Sequence, residues 1–304
     1  MRHFVTLGNR LMLWDACPEE ERVQESGAAD RPPLTRAQVA SVTAGNALEF
    51  YDFVTYSFFA TQIGRALFPG DASHSLLYSL ATFGVGFLTR PLGGLIIGRM
   101  ADRRGRKPAM ILTFSLMGVA MTGLALTPSY AAIGMLAPVL AVAFRLLQGF
   151  SLGGEVGPNV AYLMEAAPPN RRGFFISLNF ASADLAVLVA GLVGLGLSSA
   201  LSAPQLESWG WRAAFLLGAT IVPFGLRLRR TLVETLPEEQ TAAGPSARPI
   251  VLLAAAGLLI IAGATISNYT LDYLTTYAQS TLHMAVPTAF AATVILDSSE
   301  SSAT

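Results

Sequence analysis

The sequence has little charge and a single cysteine. Charged residues make up 13% of its 304 residues, whereas a soluble domain carries about 25%. An ordinary soluble domain is therefore excluded, and a formal net charge of zero gives no reason to expect nucleic-acid binding. Cys17 has no second cysteine with which to form an intrachain disulfide.

The sequence also lacks the usual marks of an enzyme. Its three histidines are scattered and form no metal-ligand pattern, and no glycine loop follows a strand as nucleotide binding would require. A basic start followed by an apolar run and a cleavage site is missing, so we expect no signal peptide. We predict neither catalysis nor a cofactor.

Long apolar runs dominate what is present. Hydrophobic residues make up 52% of the chain, mean hydropathy is +0.50, and a helix needs about 20 apolar residues to cross a bilayer. The predicted fold is an all-α, polytopic membrane helix bundle. Its spans are 38–62, 76–98, 109–127, 138–164, 173–199, 211–230 and 250–278, with an eighth that begins near Pro287 and stops at Leu296.

These runs divide the chain into four regions. Residues 1–35 are predicted to be a disordered cytoplasmic tail, and 36–231 to be a six-helix unit. A cytoplasmic linker, 232–249, separates that unit from 250–304, which holds the seventh span, part of an eighth and a polar tail.

Basic clusters in alternate loops predict the orientation. Arginine-rich segments occur at 99–107, 171–172 and 227–230, and the opposite loops hold few basic residues. Because positive charge marks the cytoplasmic side, we expect the N terminus and all three clusters to face the cytoplasm of a bacterial inner membrane.

The first span carries unexpected polar residues. Asn46, Glu49, Asp52 and Tyr56 follow at spacings of three, three and four, which keeps them on one side of a helix. Two carboxylates one turn apart in lipid would repel each other if both were ionised, so one is expected to hold a proton near neutral pH. The alternative is a structural pair neutralised by a nearby arginine such as Arg90.

The fourth span has a narrow polar stripe. Arg145, Gln148, Glu155 and Asn159 fall on one side of the predicted helix, which indicates a cavity rather than lipid. Arg145 carries a planar fork of donors that suits a carboxylate. The alternative is internal pairing without a ligand, but Arg145 and Glu155 lie about 15 Å apart along the axis and need partners on other helices.

Two further acids fall within predicted spans. Asp184 in the fifth span is a candidate proton site, or a partner for a neighbouring hydroxyl group, and Asp272 lies in the polar seventh span. The first, fourth and seventh spans are the most polar. This period of three matches the three-helix repeats from which many transporters are built.

The loop after the second span carries a distinctive pattern. Gly98, Asp102, Arg103, Gly105, Arg106 and Lys107 fall within ten positions that hold five basic residues and one acid. Five other motifs occur along the chain: Gly45–Phe53, Arg90–Gly94, Arg145–Glu155, Arg171–Gly173 and Trp209–Arg212. Together they resemble the metabolite–proton symporter branch of the major facilitator superfamily, nearest to its citrate and tricarballylate members, over residues 38–296.

The resemblance implies a function and several roles. Members of that branch import organic acids and zwitterions, among them citrate, 2-oxoglutarate, shikimate, proline and betaine. The residues from Gly98 to Lys107 would form a cytoplasmic gate loop that packs against the second half of the protein, and Arg145 would belong to a motif associated with proton coupling. Glu49 and Asp52 match acidic positions of the first helix.

Two functions remain open at this point. Members of the branch have twelve helices, so a chain that stops in the eighth indicates truncation. One hypothesis is proton-coupled symport of small organic acids, with the substrate and the lipid bilayer as partners. The other is a non-transporting membrane protein or a half-unit that associates with a missing C-terminal half or a second copy.

Overall fold

The protein is a bundle of long helices. The computed structural model of the protein describes residues 4–7, 10–13, 36–234, 263, 266, 270 and 273–301. The strands and helices are β1 (Phe4–Leu7), β2 (Arg10–Leu13), α1 (Arg36–Phe58), α2 (Ala60–Leu67), α3 (Ala72–Arg104), α4 (Arg106–Leu126), α5 (Tyr130–Ile133), α6 (Leu136–Ala166), α7 (Arg172–Ala200), α8 (Ala203–Gln205), α9 (Trp211–Ala219), α10 (Ile221–Arg230) and α11 (Val286–Ser301).

Most of the predicted spans are confirmed as helices. Within the described residues, five helical stretches are long and apolar enough to cross a membrane: Ala72–Arg104, Arg106–Leu126, Leu136–Ala166, Arg172–Ala200 and Ala203–Arg230. The last of these begins at Ala203 rather than at 211, because α8 and a π-helical turn lead into α9. The first span is also helical, as α1 and α2, but its charged residues make it more polar than the other five.

The N-terminal tail and the eighth helix differ from the prediction, and most of the seventh span is not described. Within the tail predicted to be disordered, residues 4–7 and 10–13 form an antiparallel hairpin in which Phe4 pairs with Leu13 and Leu7 with Arg10, so these eight described positions differ from the prediction. The eighth helix continues to Ser301, beyond the predicted stop at Leu296. Most of the seventh span lies outside the described residues. Residues 273–280, which include its last part, are described and helical.

The helix ends follow local sequence signals. Asp71 caps α3 by accepting a hydrogen bond from the backbone N–H of His74 at 2.9 Å. Gly105 separates α3 from α4 with φ at 109°, a backbone conformation that favours glycine. The turn at Gly105 folds α4 back against α3.

Glycines allow α3 and α6 to approach closely. A Cβ atom at Gly86 would lie 3.2 Å from the carbonyl oxygen of Arg145, and one at Gly94 would lie 3.3 Å from that of Gly153. Cβ atoms at Gly93 and Gly149 would collide with backbone of the facing helix. Small residues of this kind let helix backbones meet in lipid.

The distribution of polarity is that of a membrane bundle. Leu88 and Phe224 are 72% and 68% exposed, whereas Glu49, Asp52 and Glu155 are completely buried. An apolar surface around a charged interior is the arrangement expected when lipid surrounds the helices. Aromatic side chains fill the rest of the core, with Tyr56, Phe58, Phe59, Trp211 and Phe215 fully buried.

Candidate transport site

The polar residues of the first span all point into the bundle. Asn46 is 3% exposed, and Glu49, Asp52 and Tyr56 are 0% exposed. The amide nitrogen Nδ2 of Asn46 donates hydrogen bonds to the carbonyl oxygen of Asn179 at 2.8 Å and to Oγ of Ser182 at 3.0 Å. Asn46 therefore links α1 to α7 by hydrogen bonds, while Glu49, Asp52 and Tyr56 face α3 and α6.

Arg145 on α6 lies in the interior against α1. It is 2% exposed, and its guanidinium carbon is 3.9 Å from the centroid of the Tyr56 ring. A cation over an aromatic face is attracted by the ring's negative centre. Arg145 also donates a hydrogen bond to Gln148, and the hydroxyl of Tyr56 donates to the carbonyl oxygen of Ser79 at 3.1 Å. The predicted Arg145 thus contacts the first helix, and Gln148 accepts a hydrogen bond from Arg145.

Asp52 lies one turn before Tyr56 in the same interior. Neither of its carboxyl oxygens has a hydrogen-bond partner among the described residues. Arg145 is the charged group that acts on it electrostatically. The structure therefore places a buried acid within the field of a buried guanidinium, without a direct hydrogen bond between them.

A second buried charge cluster surrounds Glu155. Arg229 on α10 forms an ion pair with Glu155, and both side chains are 0% exposed. Nδ2 of Asn159 donates to Oε1 of Glu155 at 2.9 Å, and the hydroxyl of Thr113 donates to Oε2. The partner that Glu155 needed on another helix is therefore Arg229 rather than Arg145.

Arg229 corrects the sequence prediction. It belongs to an arginine cluster that was expected to face the cytoplasm, yet it is 0% exposed and its Nη1 donates to the carbonyl oxygen of Met110 at 2.6 Å. Its guanidinium carbon lies 4.4 Å from the centroid of the Phe114 ring. The signal was the helical position: Arg229 follows Gly225 by four residues, and both face Phe114.

Glu49 lies between the two clusters. Both of its carboxyl oxygens lack hydrogen-bond partners among the described residues, although its carboxyl group interacts with that of Glu155 and is influenced by Arg229 and Arg90. The guanidinium carbon of Arg90 is 4.0 Å from the centroid of the Phe87 ring. Arg90 donates no hydrogen bond to Glu49 or Asp52, and the alternative of a structural pair neutralised by a nearby arginine stays a prediction.

Of the predicted acids in the fifth and seventh spans, the structure describes only Asp184. Asp184 is exposed on α7. The buried face of α7 is a stripe of small residues that includes Ala183, Ala186, Ala190 and Gly194, and this stripe is the sequence signal that could have shown Asp184 to lie outside the buried face. Asp272 lies outside the described residues.

The predicted gate loop is tied to the ends of two other helices. Arg106 donates from Nη2 to Glu165 at 3.1 Å and forms an ion pair with Asp102. Glu234, which follows α10, accepts the backbone N–H groups of Arg106 at 2.8 Å and Lys107 at 3.1 Å. Glu165 and Glu234 are contacts of the loop that the sequence did not reveal, because each acid comes from a distant segment.

The other predicted loop residues differ in how deeply they are buried. Arg103 is exposed, Gly98 is half-buried, and Gly105 is buried beside the carboxylate of Glu234. Packing of this loop against a second half of the protein stays a prediction.

The architecture defines a class of protein. Membrane-length helices with an apolar surface enclose arginines and carboxylates on α1, α6 and α10, where a soluble protein would have none. Charged residues at membrane depth mark substrate and ion pathways. The chain is a multi-pass membrane protein with the fold of a secondary transporter.

Comparison with known proteins identifies the family. Residues 37–235 match the model of the sugar (and other) transporter family. The citrate-proton symporter of Salmonella typhi is 37% identical over 282 residues, which cover 88% of this chain and 65% of that protein. The chain belongs to this family of major facilitator transporters, and its resemblance to the metabolite–proton symporters is confirmed.

A second relative and a solved structure extend the comparison. The proline/betaine transporter of Salmonella typhimurium is 40% identical over 202 residues, 66% of this chain and 40% of that protein. The xylose transporter of E. coli, in a partially occluded inward-open conformation, shares the fold with a TM-score of 0.64 at 18% identity, over 86% of this chain and 69% of that one. The chain spans less than two thirds of the length of either curated relative.

Proposed function

We propose that this chain belongs to a secondary active carrier that imports small organic acids together with protons. The observation that carries the proposal is the buried arrangement of Arg145 and Asp52. Arg145 is 2% exposed against the ring of Tyr56, and Asp52 is fully buried with no hydrogen bond among the described residues. A citrate-proton symporter as a relative supports the coupling and the class of substrate.

The coupling follows from the charges of these two side chains. While Asp52 is ionised, its negative charge offsets the field of Arg145. When Asp52 takes up a proton, the positive charge of Arg145 is left to attract an anion, and interactions between charges are strong in a dry interior. A proton and a carboxylate-bearing solute would therefore bind together.

The substrate is proposed from the chemistry of the guanidinium. Its planar fork can donate two parallel hydrogen bonds to one carboxylate. Citrate and similar tricarboxylates or dicarboxylates have such a group, and so does a zwitterion such as proline, which a second relative is named for. The finer choice of a citrate-like acid rests on the relative with the larger coverage.

The cellular setting belongs to the same proposal. The carrier would lie in a bacterial plasma membrane with the arginine-rich loops and the N terminus on the cytoplasmic side, following the distribution of positive charge. It would use no cofactor beyond the proton and catalyse no reaction. The lipid bilayer and the organic acid would be its partners, with no role for nucleic acid.

The alternative is a membrane protein that does not transport by itself. The chain spans 65% and 40% of the two relatives, so the interior face could require a C-terminal half or a second copy. This alternative predicts stable insertion without uptake.

Uptake by reconstituted protein separates these functions. Labelled citrate is offered to proteoliposomes that contain the purified chain, with an inward proton gradient and with or without an uncoupler. The proposal predicts saturable uptake that collapses with the uncoupler and with Arg145→Ala, while Arg230→Ala, a change at an exposed arginine, serves as the matched control. Uptake that survives both treatments would contradict it, and folded protein without uptake would favour the alternative.

A further inference from the structure

Glu49 and Glu155 form a pair of buried carboxyl groups on two different helices. Both are 0% exposed, and Gly45, one helical turn before Glu49, lies against the guanidinium of Arg229 that pairs with Glu155. The two acids differ sharply in their partners. Glu155 accepts hydrogen bonds from Arg229, Thr113 and Asn159, whereas neither oxygen of Glu49 accepts one from any described residue.

The partners decide which acid can remain ionised. A buried charge is tolerated when it is paired and hydrogen-bonded, and Glu155 meets both conditions. Glu49 meets neither, and a second negative charge beside Glu155 would add repulsion. Protonation of Glu49 removes this charge and provides an O–H donor for the neighbouring carboxylate.

Arg229 is held on Glu155 by its surroundings. Its Nη1 is fixed on the carbonyl oxygen of Met110 at 2.6 Å, and its guanidinium carbon lies over Phe114. Gly45 on α1 leaves room for the guanidinium, because a Cβ atom there would lie 2.7 Å from the Cζ atom of Arg229. The cation therefore enters from α10 and is directed toward α6.

The other charged groups around Glu49 come from few helices. Asp52 lies one turn away on α1, and α3 contributes Arg90, which acts on Glu49 at longer range and stacks on Phe87. The part of α4 near the cluster contributes the neutral Thr113, and the acid of α7, Asp184, is exposed. Within the described structure, Arg229 is thus the one cation in direct contact with the carboxyl pair.

We propose that Glu49 and Glu155 form a proton-binding site that holds one proton on Glu49, with Arg229 as the positioning residue that keeps Glu155 ionised. This site is distinct from Asp52 and Arg145 and would give the carrier a second proton. Its part in transport rests on the proposed function, but the binding of the proton does not.

Infrared spectroscopy tests the site without any transport. The carbonyl stretch of a protonated carboxyl group is separate from the bands of carboxylates, and it shifts when the proton is exchanged for deuterium. The purified chain is measured in lipid nanodiscs at neutral pH. All samples carry Asp52→Asn, so that the other buried acid of the first helix cannot contribute. A deuterium-sensitive band is expected, and it should be lost in Glu49→Gln.

Two further variants test the role of Arg229. Glu155→Gln leaves Arg229 without its carboxylate, so the cation should draw Glu49 into the ionised form and abolish the band. The double variant Glu155→Gln with Arg229→Met removes that cation as well, and the band should return. A merely structural ion pair would not produce this loss and recovery.

Two infrared results would contradict the proposed proton-binding site. A band that keeps its full intensity in Glu49→Gln, or that is absent from the folded parent, would overturn the proposal. Size-exclusion profiles and thermal unfolding confirm folding for each variant. Absent citrate uptake with an intact band would count against the proposed function alone, since the band reports only proton binding.

Discussion

Removal of Arg229 should destabilise the bundle strongly, because it strands a buried charge. Arg229 and Glu155 are both 0% exposed. In Arg229→Met, Glu155 would keep only the hydrogen bonds from Asn159 and Thr113. Breaking one side of a fully buried ion pair costs about 3–5 kcal/mol. At about 2–4 °C for each kcal/mol in a chain of this size, the thermal midpoint should fall by roughly 6–20 °C.

The double variant makes this prediction quantitative. Glu155→Gln together with Arg229→Met replaces the pair by neutral groups of similar volume, and such replacements are often close to neutral in stability. We expect the double variant to unfold within about 1 kcal/mol of the parent. The two single changes should therefore be strongly non-additive, as is typical of residues in contact.

The assay is reversible unfolding in mixed micelles, followed by circular dichroism and by tryptophan fluorescence. Arg230→Met is the matched control, since it lies next to Arg229 on α10 but is exposed, and it should leave the midpoint unchanged. A decrease of less than about 1 kcal/mol in the free energy of unfolding of Arg229→Met would refute the reasoning, because a buried carboxylate without its cation should destabilise the protein by more than that. A double variant as unstable as the single one would refute it too.

Two further predictions concern packing and the loop. Gly149→Ala should destabilise the bundle by about 1–3 kcal/mol, because its Cβ would meet the backbone of α3. Gly157→Ala on the same helix has open space around the new Cβ and should be tolerated. Thermal unfolding of both variants checks this prediction, and equal midpoints would contradict it. Glu234→Ala should leave two N–H groups of α4 without their acceptor. Trypsin should then cleave at Arg104 about fivefold faster, as expected for a lost cap of about 1 kcal/mol, and unchanged cleavage would show that this contact does not hold the loop.

The fold could be read from the sequence because lipid imposes simple rules. Spans of about 20 apolar residues have few alternatives to a helix, and five such helices occupy the predicted positions. The burial of Glu49 and Asp52 followed from the same logic, since helical spacing placed them on one side and lipid excluded the other. The hairpin at Phe4–Leu13 was missed because it lies outside the spans.

The candidate site was predictable only in part. Spacing along one helix indicated that Arg145 and Gln148 share a face, but it could not identify contacts between helices. Arg229 was assigned to water because it stands in an arginine cluster, and only the neighbouring Gly225 and its helical offset signalled a buried face. Asp184 is exposed because it lies beside the stripe of small residues that α7 buries, a signal that the sequence contained and the prediction did not use.

Proton movement driven by the substrate is the most direct test of the central claim, which is coupling through Asp52 and Arg145. Citrate is added outside proteoliposomes that contain the purified chain and a trapped pH dye, with no gradient imposed. The account predicts acidification of the interior on addition of citrate, and its loss in Asp52→Asn and in Arg145→Ala. Citrate entry without acidification, or acidification that persists in both variants, would contradict it.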